Sequence, residues 1–281
     1  MIASRGFLTA YTGYRAGLVS GVVLGLLVVL TFVRPLLPLP DPAVFGPDIL
    51  SGPSARHLLG TDNFGRDLLS RVVAGTQTAL LVAVASALLT LVLGVLLGSL
   101  AGYRGGWLDD LLSRIFDVFV LIPAFFLLVL VVALFGPSLW LVIVVIGLTS
   151  WPSSARIMRS QVLTYRTRVF VEAARAAGGG SWYLLRRHVV PNGIAPVITN
   201  TTILMGQAIL TEAGLSFLGL SDPSTISWGR MVFEGQQYLS SSVWMSVVPG
   251  VALLVTVMCL NLTGDGLAFA FAPGARGRVR A

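Results

Sequence analysis

The chain has 281 residues, of which 55% are hydrophobic and only 11% charged, and its mean hydropathy is +0.86. An ordinary soluble domain does not carry that balance, so a polytopic membrane protein is expected. The net charge of +7 comes from 19 arginines and no lysine. The missing lysine excludes a Walker-type phosphate loop. The basic residues lie between apolar segments rather than on an aromatic-studded soluble domain, which favours membrane topology over nucleic-acid binding. Cys259, the single cysteine, sits in an apolar run and supports neither an internal disulfide nor a metal cluster.

Taken in order, residues 1–15 form a short basic start, read as cytoplasmic. Ala16 to Val33 make a first span of about eighteen residues, with residues 16–38 as the whole segment including its exit. Arg5 and Arg15 precede an apolar core as in a signal peptide. However, Arg34-Pro35 and Pro40-Asp41 offer no small-residue cleavage site, so a retained anchor is expected. Residues 39–77 are polar, rich in Pro and Gly, and balanced in charge, and they belong on the outer face. Within them Thr61 or Asp62 can cap an amphipathic helix. Its Leu68, Leu69, Val72 and Val73 would lie on the membrane interface while Arg66, Asp67 and Arg71 face water. That helix either only leads into the bilayer or also contacts another protein. His57, with no other metal ligand beside it, reads as a surface residue.

Residues 78–265 hold five further spans. Thr78 to Ala101 is uncharged, and Gly94 and Gly98 form a small-xxx-small pair that lets a neighbouring helix approach. An inner turn with Arg104 and Arg114 leads to the third span, Ile115 to Phe135. Asp117 there is either a hydrated boundary residue or a pathway residue, and Pro123 predicts a kink. Gly136-Pro137 makes an outer turn, and Leu139 to Ser154 is the fourth span.

The fifth span, Ala195 to Leu215, carries Asn200, Thr201, Thr202, Gln207 and Thr211, too many hydrogen-bonding side chains for a lipid-facing helix. It is expected to face partner helices or a substrate path, which makes Asn200 and Gln207 candidate pathway residues. Glu212, at its outer end, either lines a gate or is a carboxylate paired at the interface. Trp244 to Leu262 is the last span, and residues 266–281 form a basic tail ending in Arg276, Arg278 and Arg280.

The fold class expected is therefore an all-α integral membrane protein with six transmembrane helices and both termini on one side. Of the 19 arginines, fourteen fall in the amino-terminal segment, the 102–114 turn, the 156–192 loop and the tail, and five on the other side. The positive-inside rule then places both termini and the 156–192 loop in the cytoplasm.

That loop, Arg156 to Asn192, holds seven of the arginines. Ala173, Ala174, Ala176 and Ala177 favour helix and expose little side chain, so another protein surface can approach the backbone closely. Arg168 and Arg175 stand at helical spacing from Glu172 and are expected to pair with its carboxylate, for roughly a few tenths of a kcal/mol. Gly178-Gly179-Gly180 ends the helix. Ser181 is expected to cap a second one, with Trp182, Leu185 and Val189 on one face, and Pro191 to mark the return into the membrane.

The pattern Glu172-Ala173-Ala174, then Gly178, then Pro191 resembles the signature loop of permease subunits of ATP-binding-cassette importers. Arg187-His188-Val189-Val190-Pro191-Asn192, the 59–71 stretch, Glu212 to Leu220 and Asn261 to Leu267 are similar to the dipeptide/oligopeptide branch. His188 and Val190 depart from the general pattern, and Phe269 and Ala272 stand where acidic residues are usual. The resemblance implies a type I importer permease fold in which Glu172, Ala173, Ala174, Gly178, Arg168 and Arg175 dock onto an ATPase subunit. It also implies a homologous second permease subunit, two ATPase subunits holding ATP and Mg, and an external substrate-binding protein. The place would be the inner membrane of a prokaryote, with no catalytic residue and no cofactor in this chain. Short peptides are the expected cargo, with nickel, glutathione or haem-like ligands as alternatives. An ion-coupled carrier would need ionisable residues at mid-membrane, which the spans lack, and a membrane scaffold would not need the helix-glycine-helix loop.

Overall fold

The computed structural model describes residues 11–271; the start of the basic amino-terminal segment with Arg5, and the end of the tail with Arg276, Arg278 and Arg280, lie outside the described residues. The described chain is helical: α1 (Arg15–Val33), α2 (Leu68–Arg104), α3 (Gly106–Leu121), α4 (Ala124–Phe135), α5 (Leu139–Tyr165), α6 (Val169–Ala176), α7 (Ser181–Gly193), α8 (Ala195–Phe217), α9 (Trp228–Gly235) and α10 (Trp244–Phe271). Four of these, α1, α2, α5 and α10, are long and apolar enough to cross a membrane. The pairs α3 with α4 and α7 with α8, bent by 75° and 57°, bring the number to six if each pair is one span. Large apolar side chains such as Phe32, Phe126, Leu134 and Leu254 are exposed along these helices. A surface of that kind needs lipid or partner helices to cover it.

The third span breaks where Pro123 removes a helical N–H, as expected, and Ile122 and Pro123 take extended backbone between α3 and α4. The separate interfacial helix expected within residues 39–77 is corrected. Asp67 caps α2 by accepting from Ser70 N–H at 2.8 Å, and the helix runs unbroken from Leu68 to Arg104, so there is no separate interfacial helix.

The α2 and α5 pair is held at close range by glycine. A Cβ on Gly94 would meet Ser154 Cβ at 2.6 Å, one on Gly102 would meet the Arg159 carbonyl at 2.8 Å, and one on Gly98 would overlap the Ala155 carbonyl. The expected Gly94/Gly98 pair thus extends by a third member. What Gly98 meets is backbone, which cannot turn aside. Gly98→Ala is therefore expected to cost about 1–3 kcal/mol and lower the thermal midpoint of the solubilised protein, with Gly98→Leu worse. Gly250→Ala, where nothing among the described residues lies within 4 Å, serves as the neutral comparison.

Contacts sort the helix ends into two groups. At one end Gly17 of α1 packs on Gly266 of α10, Ser20 Oγ lies 3.0 Å from Thr263 Oγ1, and Tyr14 stacks on Phe269 with centroids 6.0 Å apart. Gly264 there abuts Thr199 near the start of α8. At the other end Trp228 of α9 donates its indole N–H to the Val72 carbonyl at 2.9 Å, Gly229 abuts Ala213, and Gly235 abuts Met245. The two halves of the bent third span reach from one end to the other: Phe116 of α3 packs edge-on against Trp151, while Leu128 and Val132 of α4 join Val142 and Ile146 of α5 in a separate cluster.

Candidate coupling surface and outer cap

Helix α6 is short, and most of its surface is exposed. Glu172, Ala173, Arg175, Ala176 and Ala177 are exposed and Ala174 is half-buried, while Val171 is fully buried. Glu172 in the first turn and Arg175 in the last complement the helix dipole. The expected pairing of Glu172 with Arg168 and Arg175 is not formed: among the described residues no ion pair includes Glu172. Arg168 is the N-cap residue, and Arg175 donates to the Arg166 carbonyl at 3.5 Å. Two exposed side chains at this spacing gain too little to be held together.

The glycine turn forms as expected. Gly178 has φ +89, its N–H donates to the Arg175 carbonyl at 3.0 Å, and Gly179 N–H donates to the Ala174 carbonyl at 3.0 Å. This is a Schellman closure, in which the residue with positive φ is the one that favours glycine.

Gly180, not Ser181, is the N-cap of α7, and no side chain caps it. The buried face also differs from expectation. Leu184, Leu185 and Val189 are buried, whereas Trp182 is 69% exposed. A π turn over Leu185–Val189 advances the helix more slowly than 3.6 residues per turn and shifts the inward face by about one position. Pro191 lies within α7, and the re-entry is the bend at Ile194, followed by Pro196 in the first turn of α8. Val171 joins Met158 and Val162 of α5, Leu184, Leu185 and Val189 of α7, and Val197 of α8 in one buried cluster. Arg166 donates to the Gly102 carbonyl at 2.9 Å, tying the base of the loop to the end of α2. The C-terminal half of α5 is also strapped to α3, by Arg159 to Asp109 at 2.5 and 2.7 Å and by Arg156 to Asp117 at 2.6 Å, so Asp117 has an ion-pair partner.

On α8, Asn200 Nδ2 donates to Ser154 Oγ at 3.2 Å and Gln207 is exposed. Leu210 and Phe217 are exposed along the same helix. Glu212 is buried against α9: it accepts from Ser216 Oγ at 2.6 Å, and Ser227 Oγ donates to Ser216 Oγ at 3.2 Å. The structure thus separates the three candidate pathway residues, with Gln207 on an open face and Glu212 inside the bundle.

Above this end sits a charged cap that local patterning misplaced. Asp62 is fully buried and Arg71 is 3% exposed, and the two are in contact. Asp62 also accepts from Arg66 Nε at 2.6 Å and from the backbone N–H groups of Phe64 and Arg66, both at 2.9 Å. Glu234 of α9 accepts from Arg71 at 2.8 Å, Arg230 at 3.0 Å and Arg66 at 3.2 Å. Arg66, Asp67 and Arg71 therefore face the protein, not water. His57 is likewise not a free surface residue: Nδ1 lies 3.0 Å from Asp67 and Nε2 lies 3.4 Å from Asp48. A hydrogen bond from the Ser224 hydroxyl holds the Asp222 carboxyl below the usual carboxylate range, against the opposing effect of burial. At neutral pH Asp222 accepts from Leu139 N–H at 3.2 Å, linking the start of α5 to the loop before α9. Among the described residues no group of three or more His, Cys, Asp or Glu is placed to hold a metal ion.

A bundle of apolar helices long enough to cross a membrane, with a short exposed helix at one end and a charged cap at the other, has the architecture of a multi-pass membrane protein. Residues 94–277 match the model of the binding-protein-dependent transport system inner membrane component family, and the chain belongs to that family. It is 37% identical over 258 residues to the dipeptide transport system permease protein DppC of Alkalihalophilus pseudofirmus, covering 89% of this chain and 85% of that one. It is 40% identical over 228 residues to the di/tripeptide transport system permease protein DppC of Pseudomonas aeruginosa, covering 81% and 75%. It is 35% identical over 271 residues to the glutathione transport system permease protein GsiD of Pectobacterium atrosepticum, covering 96% and 89%. Among solved structures, an inward-facing MetNI methionine transporter matches in fold with a TM-score of 0.59 at 23% identity, covering 73% of this chain and 98% of that one. The importer permease fold and the multi-pass inner-membrane setting expected from the sequence are met.

Proposed function

We propose that this chain forms half of the translocation pathway of an ATP-driven importer for short peptides, with six spans and both termini in the cytoplasm. The observation that carries the reading is α6: an exposed helix whose Glu172 has no ion pair among the described residues, closed by Gly178 and anchored to three helices through the buried Val171. Such a helix transmits a push or pull on its outer surface to α5, α7 and α8 together. In this reading two partner ATPase subunits hold ATP and Mg, and their closure moves Arg168 to Gly180 and rocks the attached spans. Glu172, Ala173, Ala174, Gly178, Arg168 and Arg175 form the docking surface. Gln207 faces the pathway shared with a homologous permease subunit, Asn200 steadies α8 against α5, and Glu212 fixes α9 to α8.

The helix ends support an even number of passes, because the start of α1 packs on the end of α10. The arginine distribution supports the cytoplasmic placement of that end. Peptide cargo rests on the dipeptide and di/tripeptide relatives, and the likeness to the glutathione permease keeps a modified tripeptide in the same class.

The test is purification of this chain with its associated subunits in lipid. ATPase subunits are expected to accompany it, and hydrolysis to rise when a peptide-loaded external binding protein is added. Absence of any ATPase, or transport driven by an ion gradient alone, overturns the reading.

A further inference from the structure

Where the inner end of α2 passes α7, Leu96, Leu97, Leu100, Leu185 and Val190 line a cavity of about 430 Å³, which Trp182 and Arg186 complete. We propose that this groove binds an anionic phospholipid of the cytoplasmic leaflet, its acyl chain against α2 and its phosphate on Arg186. The inference rests on the cytoplasmic placement of α7 in the proposed topology.

Three observations support it. The volume lies in the range of small-molecule sites, and the walls are almost wholly apolar. Trp182 is 69% exposed and stands one helical turn before Arg186, so an amphipathic ring and a cation share one edge of the groove. Arg186 and Arg187 are both exposed, and among the described residues neither forms an ion pair, so their charge is available to an anion.

Depth agrees with this occupant. At 1.5 Å per residue, the apolar lining of α2 runs from about 6 Å (Leu100) to about 14 Å (Val95) from Arg104 at the helix end, so the apolar wall extends inward from that end as an acyl chain does from its phosphate. The exposed apolar stripe Val84, Leu88, Val92, Leu96 and Leu100 continues from the groove along α2, a track for the rest of the chain.

The experiment uses the complete transporter in nanodiscs containing phosphatidylglycerol and phosphatidylcholine, followed by native mass spectrometry of retained lipid. Wild type is expected to retain phosphatidylglycerol in preference to phosphatidylcholine, at one tightly held copy per copy of this chain. Arg186→Gln is expected to lower that retention about tenfold, in line with the loss of a charge-assisted contact to phosphate. Leu96→Trp, which fills the groove without touching the charge, is expected to remove the tightly held copy. Equal retention of the two lipids by wild type, or unchanged retention in both variants, overturns the proposal. So does cross-linking of a photoreactive probe at Leu96 to a protein subunit rather than to lipid. Labelling of Ser181→Cys in a Cys259→Ser background distinguishes the two readings. Labelling only from outside the cell overturns the topology and the inner-leaflet site with it, whereas cytosolic labelling with lipid retention insensitive to Arg186 and Leu96 overturns the lipid site alone.

Discussion

Gly178→Val is expected to reduce transport and binding-protein-stimulated ATP hydrolysis about thirtyfold while the chain still inserts and folds. The reason is local. Gly178 holds φ +89, and a β-branched residue forced into left-handed backbone is strained by about 2 kcal/mol, which lowers the population of the docking geometry by roughly that factor. Among the described residues nothing lies within 4 Å of a Cβ at this position, so the effect arises from backbone strain and not from a clash, and the fold is spared. Gly178→Asn, which visits the same region more readily, is expected to recover most of the activity. Glu172→Lys is the companion test. With no ion pair to lose among the described residues, it should leave thermal stability unchanged and weaken association with the ATPase subunits. Transport and stimulated hydrolysis at wild-type level in both Gly178→Val and Glu172→Lys would remove α6 from the coupling role.

The parts of the fold written in local pattern were legible. Apolar runs, glycine at four-residue spacing, Pro123 and the Gly178 turn each act within one or two helical turns, and the structure holds a close α2 and α5 contact, a broken third span and a Schellman closure at those places. The cap was not legible. An amphipathic reading puts Arg66, Asp67 and Arg71 in water because charge is costly to bury, and that holds only when no partner comes from elsewhere. Here Glu234 arrives from 163 positions away, and no spacing rule within residues 59–71 points to it. Val171 was missed for a related reason. It stands next to Glu172 in a stretch read for its small exposed residues, and its burial depends on Met158, Leu184 and Val197 converging from three other helices. Trp182 was misplaced because the π turn that displaces the inward face has no signature in the 3.6-residue pattern.

The cap yields the second large effect. Asp62 receives hydrogen bonds from two backbone N–H groups and two arginines, and Arg71 is 3% exposed, so Asp62→Ala leaves a buried guanidinium supported by Glu234 alone. Removing one partner of a buried pair costs about 3–5 kcal/mol, most of it from the charge left behind. The expected result is a lowered thermal midpoint of the solubilised complex together with protease cleavage between residues 41 and 66 from the outer side. Asp62→Ala combined with Arg71→Met should recover much of the midpoint, because the orphaned charge is gone and the methionine fills apolar space. Protease protection should recover less, since the double variant still lacks the bonds that the Phe64 and Arg66 backbone N–H groups donate to Asp62 and that shape the turn. A neutral Asp62→Ala, or a double variant no better than the single, would show that the ion cluster does not hold residues 41–66 to α9. If the predicted split is seen, the same carboxylate has two separable roles: neutralising Arg71 inside the cap and folding the turn above it.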